Sequence, residues 1–400
     1  MTRTVFRGGR VFDGSGADPA EADVVVEDGR IVDVGTGLDA DDAVDVAGRT
    51  LLPGLFDCHI HVVVSGVDIW KDVQQPFSYQ FYEAERNLAA TLATGITTVR
   101  DAGGADLGIK QAVEDGLIRG PRLQVSLVML SQTGGHGDDW YPSGSIVPWM
   151  GPHPGRPSGM VDGPDEMRRK VRELVRGGAD VIKVATSGGV LSARDDPRHA
   201  HFRPAELETL VEEATAAGIF VMAHAQGADG IRNAIRAGIR SIEHGIYLDD
   251  EAIEMMKTRG TWFVPTLVAP QGVIDAVEAG VPLPPAVVDK AHRVVDIHRA
   301  AFRHAVESGV RIAMGTDSGV TPHGRNLREL QLMVDGGMTP AAALEATTRS
   351  AAQLLGVDDD LGTIEPGKLA DLVLVSGDPY DVGTLADRIE GVWKAGERVA

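Results

Sequence analysis

Leu51-Leu52-Pro53-Gly54-Leu55-Phe56-Asp57-Cys58-His59-Ile60-His61-Val62-Val63-Val64 is the stretch on which the reading of this chain turns. It is apolar on both sides of a histidine pair and reads as a buried strand. Side chains alternate faces along a strand, so residues i and i+2 leave the same face. The imidazoles of His59 and His61 therefore share one exit at one strand end, a placement suited to holding a divalent metal ion. Two unrelated histidines at a strand end would give the same pattern, so the rest of the chain has to decide.

Outward from this strand, one local unit recurs. A polar, Ala-rich helical segment ends in Gly and a short apolar strand follows at once. Ala93-Thr94-Gly95 precedes Ile96–Val99, Arg176-Gly177-Gly178 precedes Ala179–Val184, and Ala216-Ala217-Gly218 precedes Ile219–His224. Arg236-Ala237-Gly238 leads into Ile239–His244, Thr258-Arg259-Gly260 into Thr261–Val264, and Glu307-Ser308-Gly309 into Val310–Met314. Gly just past a helix end supplies the left-handed cap that other residues resist. Strands alternating with helices imply βαβ units and a parallel sheet. With Leu55–Val62 and a strand near Arg122–Val128 there are eight candidate strands, which predicts a (β/α)8 barrel. An open doubly wound sheet is the rival, weakened because no Gly-x-Gly-x-x-Gly turn follows an early strand.

The two ends differ from this middle. Residues 1–53 read as short strands and turns (Thr4–Phe6, Asp23–Val26, Arg30–Val34), and so do residues 365–400 (Asp371–Val375, Gly391–Gly396). Neither piece alone can bury a core. We expect the two to combine into one small β-sandwich domain beside a barrel of residues 54–364.

Composition sets outer limits. The chain has 400 residues, 43% hydrophobic, with a formal charge of −20. That charge argues against nucleic acid or an anionic membrane as partner. A single cysteine, Cys58, rules out an intrachain disulfide and suits a reducing compartment. The N-terminal residues lack a signal-peptide core, and no apolar run is long enough to span a bilayer. A cytoplasmic location is the expectation.

The strand ends carry the chemistry. Besides His59 and His61 they bring Lys183 (Val181-Ile182-Lys183-Val184), His224 (Met222-Ala223-His224-Ala225), His244 (Ile242-Glu243-His244-Gly245) and Asp317 (Met314-Gly315-Thr316-Asp317-Ser318). Barrel active sites lie at that end. Singly, His224 passes for a core histidine, Asp317 for a turn residue, and Lys183 for a lysine that reaches water. A buried lysine is costly unless its charge is removed or paired. Reaction with carbon dioxide would turn it into a carbamate, an anionic bridging ligand for two metals.

Taken together, His59-x-His61, Lys183, His224, His244 and Asp317 resemble the ligand set of the amidohydrolase superfamily in its binuclear, carboxylated-lysine form. Leu52–His61 is similar to that family's opening motif, and Gly362–Leu372 to its re-entry into the β-domain. The Gly134-Gly135-His136-Gly137-Asp138 loop and the pairing of Glu243–Tyr247 with Thr316–Ser318 resemble the prolidase and imidazolonepropionase branch. The resemblance implies that His59, His61 and Asp317 hold one metal, that His224 and His244 hold the other, and that carboxylated Lys183 bridges them. Zinc is the default ion for such ligands, with manganese or cobalt as alternatives. It further implies a metal-activated water as nucleophile, Asp317 as its proton acceptor, and His136 as a donor to the scissile carbonyl. Tyr247 stands where similar dipeptidases contact the substrate carboxylate.

The expected activity is hydrolysis of an amide bond in an Xaa-Pro or hydrophobic dipeptide or an N-acyl amino acid. Non-peptide amides, carbamates or ureas, and an imidazolonepropionase-like ring opening, are the alternatives. A small-molecule substrate and a homo-oligomer belong to the same expectation. A non-enzymatic scaffold is disfavoured because all six ligand positions are filled. The Gly- and Pro-rich segment 131–164 should lie over the mouth, with 187–203 and 269–289 as further walls or lids. Trp140, Tyr141, Trp149 and Phe202 are candidates for an apolar pocket, and Arg203 and Arg325 for an anion. His199, His201 and His323 are not assigned as ligands.

Overall fold

The computed structural model describes residues 3–192 and 194–400, and the chain adopts an α/β fold. A run of parallel strands forms its centre. Leu55–Ile60, Ile96–Asp101 and Arg122–Val125 pair in that order. A second parallel sheet runs Met129–Leu130, Val181–Ala185, Phe220–Ala225, Ser241–His244 and Trp262–Val264. Helices separate the strands as the repeated unit predicts. The helix Ala228–Ala237 stops at Gly238 (φ 93°) and Asp250–Arg259 at Gly260 (φ 68°), both in the left-handed region glycine favours.

Two expected strands are irregular. The strand near Arg122–Val128 ends at Val125 and pairing resumes at Met129 with a different neighbour. Leu127, at φ 66°, turns the backbone between them. The expected strand Val310–Met314 is not a regular strand. It still carries ladder bonds to both sides: Ala313 N–H to Phe263 O (3.0 Å), Cys58 N–H to Met314 O (2.9 Å) and His61 N–H to Ser318 O (2.7 Å). Within it only Ile312 forms a bridge, to Phe263, and Asp317, at φ 59°, bends the chain three residues beyond.

The terminal segments form two further sheets. One has four strands: Arg30–Gly35, Asp23–Glu27, Thr4–Arg7 and Asp42–Asp45. The other has six and mixes the two ends of the chain: Glu397–Arg398, Ile389–Lys394, Leu372–Ser376, Arg49–Pro53, Arg10–Val11 and Ala20–Glu21. Phe6, Val24, Val26, Ile31 and Leu51 from the front share one buried cluster with Leu372, Leu374 and Trp393 from the back.

Segment 269–289 is not the open wall expected of it. It folds into the helix Val268–Glu278 and leads into the long helix Pro285–Glu307. The first of these is anchored by the buried carboxylate of Glu329, which accepts the N–H groups of Leu267 (2.7 Å) and Val268 (2.8 Å). Residues 131–163 and, among the described residues, 187–203 do remain loops. Among the described residues no helix is long and apolar enough to cross a membrane.

Candidate metal centre

Strand register brings the ligands level. Val184 pairs with Ala223, His224 with Glu243 and Ala225 with His244, so their carboxyl ends align. Lys183 Nζ lies 3.2 Å from His59 Nε2. Asp317 Oδ1 lies 3.5 Å from His59 Nε2 and 3.2 Å from His61 Nε2. The His59 ring is 5.0 Å from that of His244, which is 4.7 Å from that of His224. Donor atoms of His59, His244 and Asp317 all fall within 4.8 Å of one another. The structure thus gathers all six predicted side chains at one place.

Two of them stand on strained backbone. His244 (φ 72°) and Asp317 (φ 59°) both occupy the left-handed region, unusual for residues other than glycine. The turn at His244 has a specific result. Its neighbour Glu243 points inward to His59, and alternation along a strand would send His244 the other way. The left-handed kink lets both residues serve the centre.

Each imidazole has one nitrogen committed elsewhere. His59 Nδ1–H donates to Glu243 (2.7 Å), His61 Nδ1–H to the Gly103 carbonyl (2.7 Å), and His244 Nδ1–H to Thr266 Oγ1 (2.7 Å). His224 reverses the pattern, with Nε2–H donating to the Gly188 carbonyl at 3.1 Å. Such outer contacts fix the tautomer and leave the other nitrogen's lone pair for a cation. The donor set therefore fits a divalent metal.

The electrostatics agree. Burial pulls His59, His224 and His244 well below the ordinary imidazole range, so they are neutral donors. Burial is also the largest single influence on His61 and opposes its protonation, but the hydrogen bond and charge of Asp317, the charge of Asp101 and the Gly103 carbonyl together raise it above the ordinary range. Burial opposes ionisation of Asp317, but His61, His59 and Lys183 outweigh it and hold the carboxyl well below the usual range. Burial brings Lys183 down to about 8, against the pull of Glu243 and Asp317. A neutral amine is the form that reacts with carbon dioxide.

Around this centre stands a layer of residues the sequence did not single out. Arg100 Nη2 donates to the second oxygen of Glu243 (2.9 Å), and its Nε to the Cys58 carbonyl (2.7 Å). Asp57 accepts Thr316 Oγ1–H (2.6 Å), Asn326 Nδ2–H (2.8 Å) and the backbone N–H groups of His59 and Thr316 (3.1 Å each), tying the first ligand strand to the Asp317 turn. Glu243 alone had a local signal, as a carboxylate beside a ligand inside an apolar run.

The predicted substrate residues are placed unevenly. His136 stacks on His224, ring centres 4.2 Å apart at 21°, directly over the centre. Tyr247 lines a cavity of about 290 Å³ with Arg198, Lys290 and Arg293. Trp149 donates to Asp72 (3.0 Å), the Trp70 and Tyr141 rings are 6.1 Å apart, and Trp140 lies under Arg194. Phe202 is buried in the main core. Arg203 and Arg325 are exposed. His323 braces the first strand end through the carbonyls of His61 and Val64 (3.2 Å each).

Similar proteins are numerous. Residues 50–399 match the family model described as "Amidohydrolase family". An ochratoxinase of Aspergillus niger is 35% identical, the match covering 98% of this chain and 86% of that protein. The structure of a Xaa-Pro dipeptidase with bound methionine in its active site superposes with a TM-score of 0.90 at 34% identity, covering 99% of each chain. That of a prolidase complexed with N-methylphosphonate-L-proline gives 0.91 at 36%, covering 100% of this chain and 99% of the other. The chain belongs to the amidohydrolase family and is a hydrolase of amide or peptide C–N bonds.

Proposed function

We propose that the protein cleaves the amide bond of an Xaa-Pro or hydrophobic dipeptide, or of an N-acyl amino acid, at a binuclear metal centre. The proposal includes closure of residues 54–364 into a (β/α)8 barrel, flanked by one β-sandwich domain of residues 1–53 and 365–400. The observation that carries it is the convergence of four singly committed imidazoles, Asp317 and Lys183 on one buried spot.

In this reading His59, His61 and Asp317 would hold one ion, His224 and His244 a second, and Lys183, as its carbamate, would join both. The ions, zinc by ligand type, would supply an acidified water and a Lewis acid for the carbonyl. Asp317 takes the proton of the attacking water and passes it to the leaving amine. His136 stands over His224 to contact the carbonyl oxygen.

Metal analysis of the purified protein and of Lys183→Ala tests this. Two equivalents of divalent metal and a loss of kcat by orders of magnitude in the variant are expected. Full activity with two metals in Lys183→Ala would remove the bridge. One metal with an unmodified lysine would turn the reading toward ring hydrolysis. The relative named ochratoxinase favours a second reading, a non-peptide amide substrate. A panel of Xaa-Pro dipeptides, N-acyl amino acids, aryl amides and carbamates separates the two. A homo-oligomer belongs to the proposal and is checked by light scattering.

A further inference from the structure

Lys290 sits on the helix Pro285–Glu307, is 6% exposed, and has no part in the chemistry above. Its ammonium donates to the carbonyls of Gly189 (2.8 Å), Ser192 (2.6 Å) and Asp195 (2.7 Å), with Asp195 Oδ1 at 3.2 Å. Three N–H donors meet three backbone carbonyls of one loop, and a carboxylate balances the charge. Buried lysines are tolerated when satisfied in this way. Neutralising Asp195 would have needed one contact. Gathering three carbonyls does something more: it draws the loop after the strand Val181–Ala185 into a fixed strap.

That strap bears directly on the centre. Ser192 Oγ accepts the Nδ1–H of His136 at 2.8 Å and donates to Asp195, whose other oxygen lies 3.3 Å from the same nitrogen. Asp195 Oδ2 also accepts the Gly189 N–H at 3.0 Å. Gly189 is pressed against His136, since a Cβ there would fall 2.1 Å from a ring carbon. The carbonyl of Gly188 holds His224 Nε2–H at 3.1 Å. The strap therefore sets the tautomer of His136 and backs its ring, while one residue earlier it orients a metal-facing imidazole.

We propose that Lys290 is a positioning residue for the reaction: by cinching this strap it fixes His136 over the centre through Ser192 and Asp195. The inference rests on the role given to His136 above. Catalytic contacts must be held to within a fraction of an ångström, and misplacement by about 1 Å costs up to roughly a hundredfold in rate. A helix outside the ligand strands thus carries part of the precision of the site.

The test has two readouts. Crystal structures of the metal-loaded protein and of Lys290→Met should show the strap displaced and the His136–Ser192 bond lost. Unchanged geometry would overturn the proposal whatever the activity. With Leu-Pro as probe, Lys290→Met should lower kcat by about tenfold or more, with KM and metal content nearly unchanged. In the His136→Ala background the same substitution should lower kcat little further, because the kcat effect acts through His136, whereas any effect through Gly188 and His224 would show as lost metal. A full additional loss there would mean that Lys290 only maintains the fold. Asp195→Asn, which keeps the buried lysine and most of the packing, should reproduce the kcat loss and its disappearance without His136. If His136→Ala itself retained full kcat, the role of His136 would fall, while diffraction would still judge the strap.

Discussion

Glu243 accepts the Nδ1–H of His59 at 2.7 Å and turns its other oxygen to Arg100 at 2.9 Å, with both acid and histidine buried. One carboxylate thereby orients a metal-facing imidazole and neutralises a buried guanidinium. Removing an outer carboxylate of this kind typically costs about 10–100-fold in metal affinity. Glu243→Gln should show such a loss in metal titrations, and a lower melting temperature in the metal-free protein because Arg100 is left without its counter-charge. Unaltered metal affinity would mean that Glu243 serves Arg100 alone.

Asp57 makes a related prediction for the Asp317 turn. Its carboxylate joins the backbone of His59 to Thr316 and Asn326. Asp57→Asn must turn an amide N–H₂ toward donors, and an unsatisfied buried contact costs about 1–3 kcal/mol. The variant should melt lower and bind metal more weakly. A melting curve and metal titration matching the parent would show the turn to be held by backbone bonds alone.

Cys58 immediately precedes His59 and, by strand alternation, faces away from the side that His59 and His61 share. It is fully buried with Phe56, Trp262, Val264 and Ala313. Cys58→Ala should cost about 1 kcal/mol through lost packing and leave metal content unchanged. Loss of a metal would contradict the register of this strand.

Glu329 gives a pH dependence. Burial raises its carboxyl from an ordinary 4.5 to about 8. Below about 4.5 native and unfolded chains are both protonated and its full contribution is present. As pH rises the unfolded chain releases the proton first, so the native state loses stability until the group itself ionises near 8. The slope is at most about 1.4 kcal/mol per pH unit. Glu329→Gln should be less stable at acid pH, having given up one acceptor, yet flatter across this range. Parallel melting curves for the two proteins would show that Glu329 does not titrate there.

What could be read in the sequence follows from where the signals are local. The apolar runs ending in His59, His224 and His244, with Lys183 inside another, expose both strand and ligand, because burial and period are written into consecutive residues. The strand before Asp317 was only half legible. Its pairing survives only through an isolated bridge at Ile312 and the bonds of Ala313 and Met314, too few for a regular strand, and the left-handed turn at Asp317 follows three residues later. Segment 269–289 misled because Gly272, Pro270 and Pro284 look like loop residues, whereas the carboxylate of Glu329 holds the two N–H groups at the start of that helix. Lys290 carries no local sign at all. Its partner Asp195 is 95 positions away, and only tertiary structure brings the two together.

The six-stranded sheet has a consequence for how this molecule is made. Arg49–Pro53 pairs with Leu372–Ser376, and two residues later the chain enters the strand that bears His59. On the ribosome, the segment leading into the first ligand strand must wait for a partner synthesised after every other ligand has emerged. Contacts of such sequence separation close slowly. The metal-binding strands should therefore assemble before their edge is sealed, and the last thirty or so residues, remote from the chemistry, should govern how long the nascent protein stays vulnerable to proteases and aggregation.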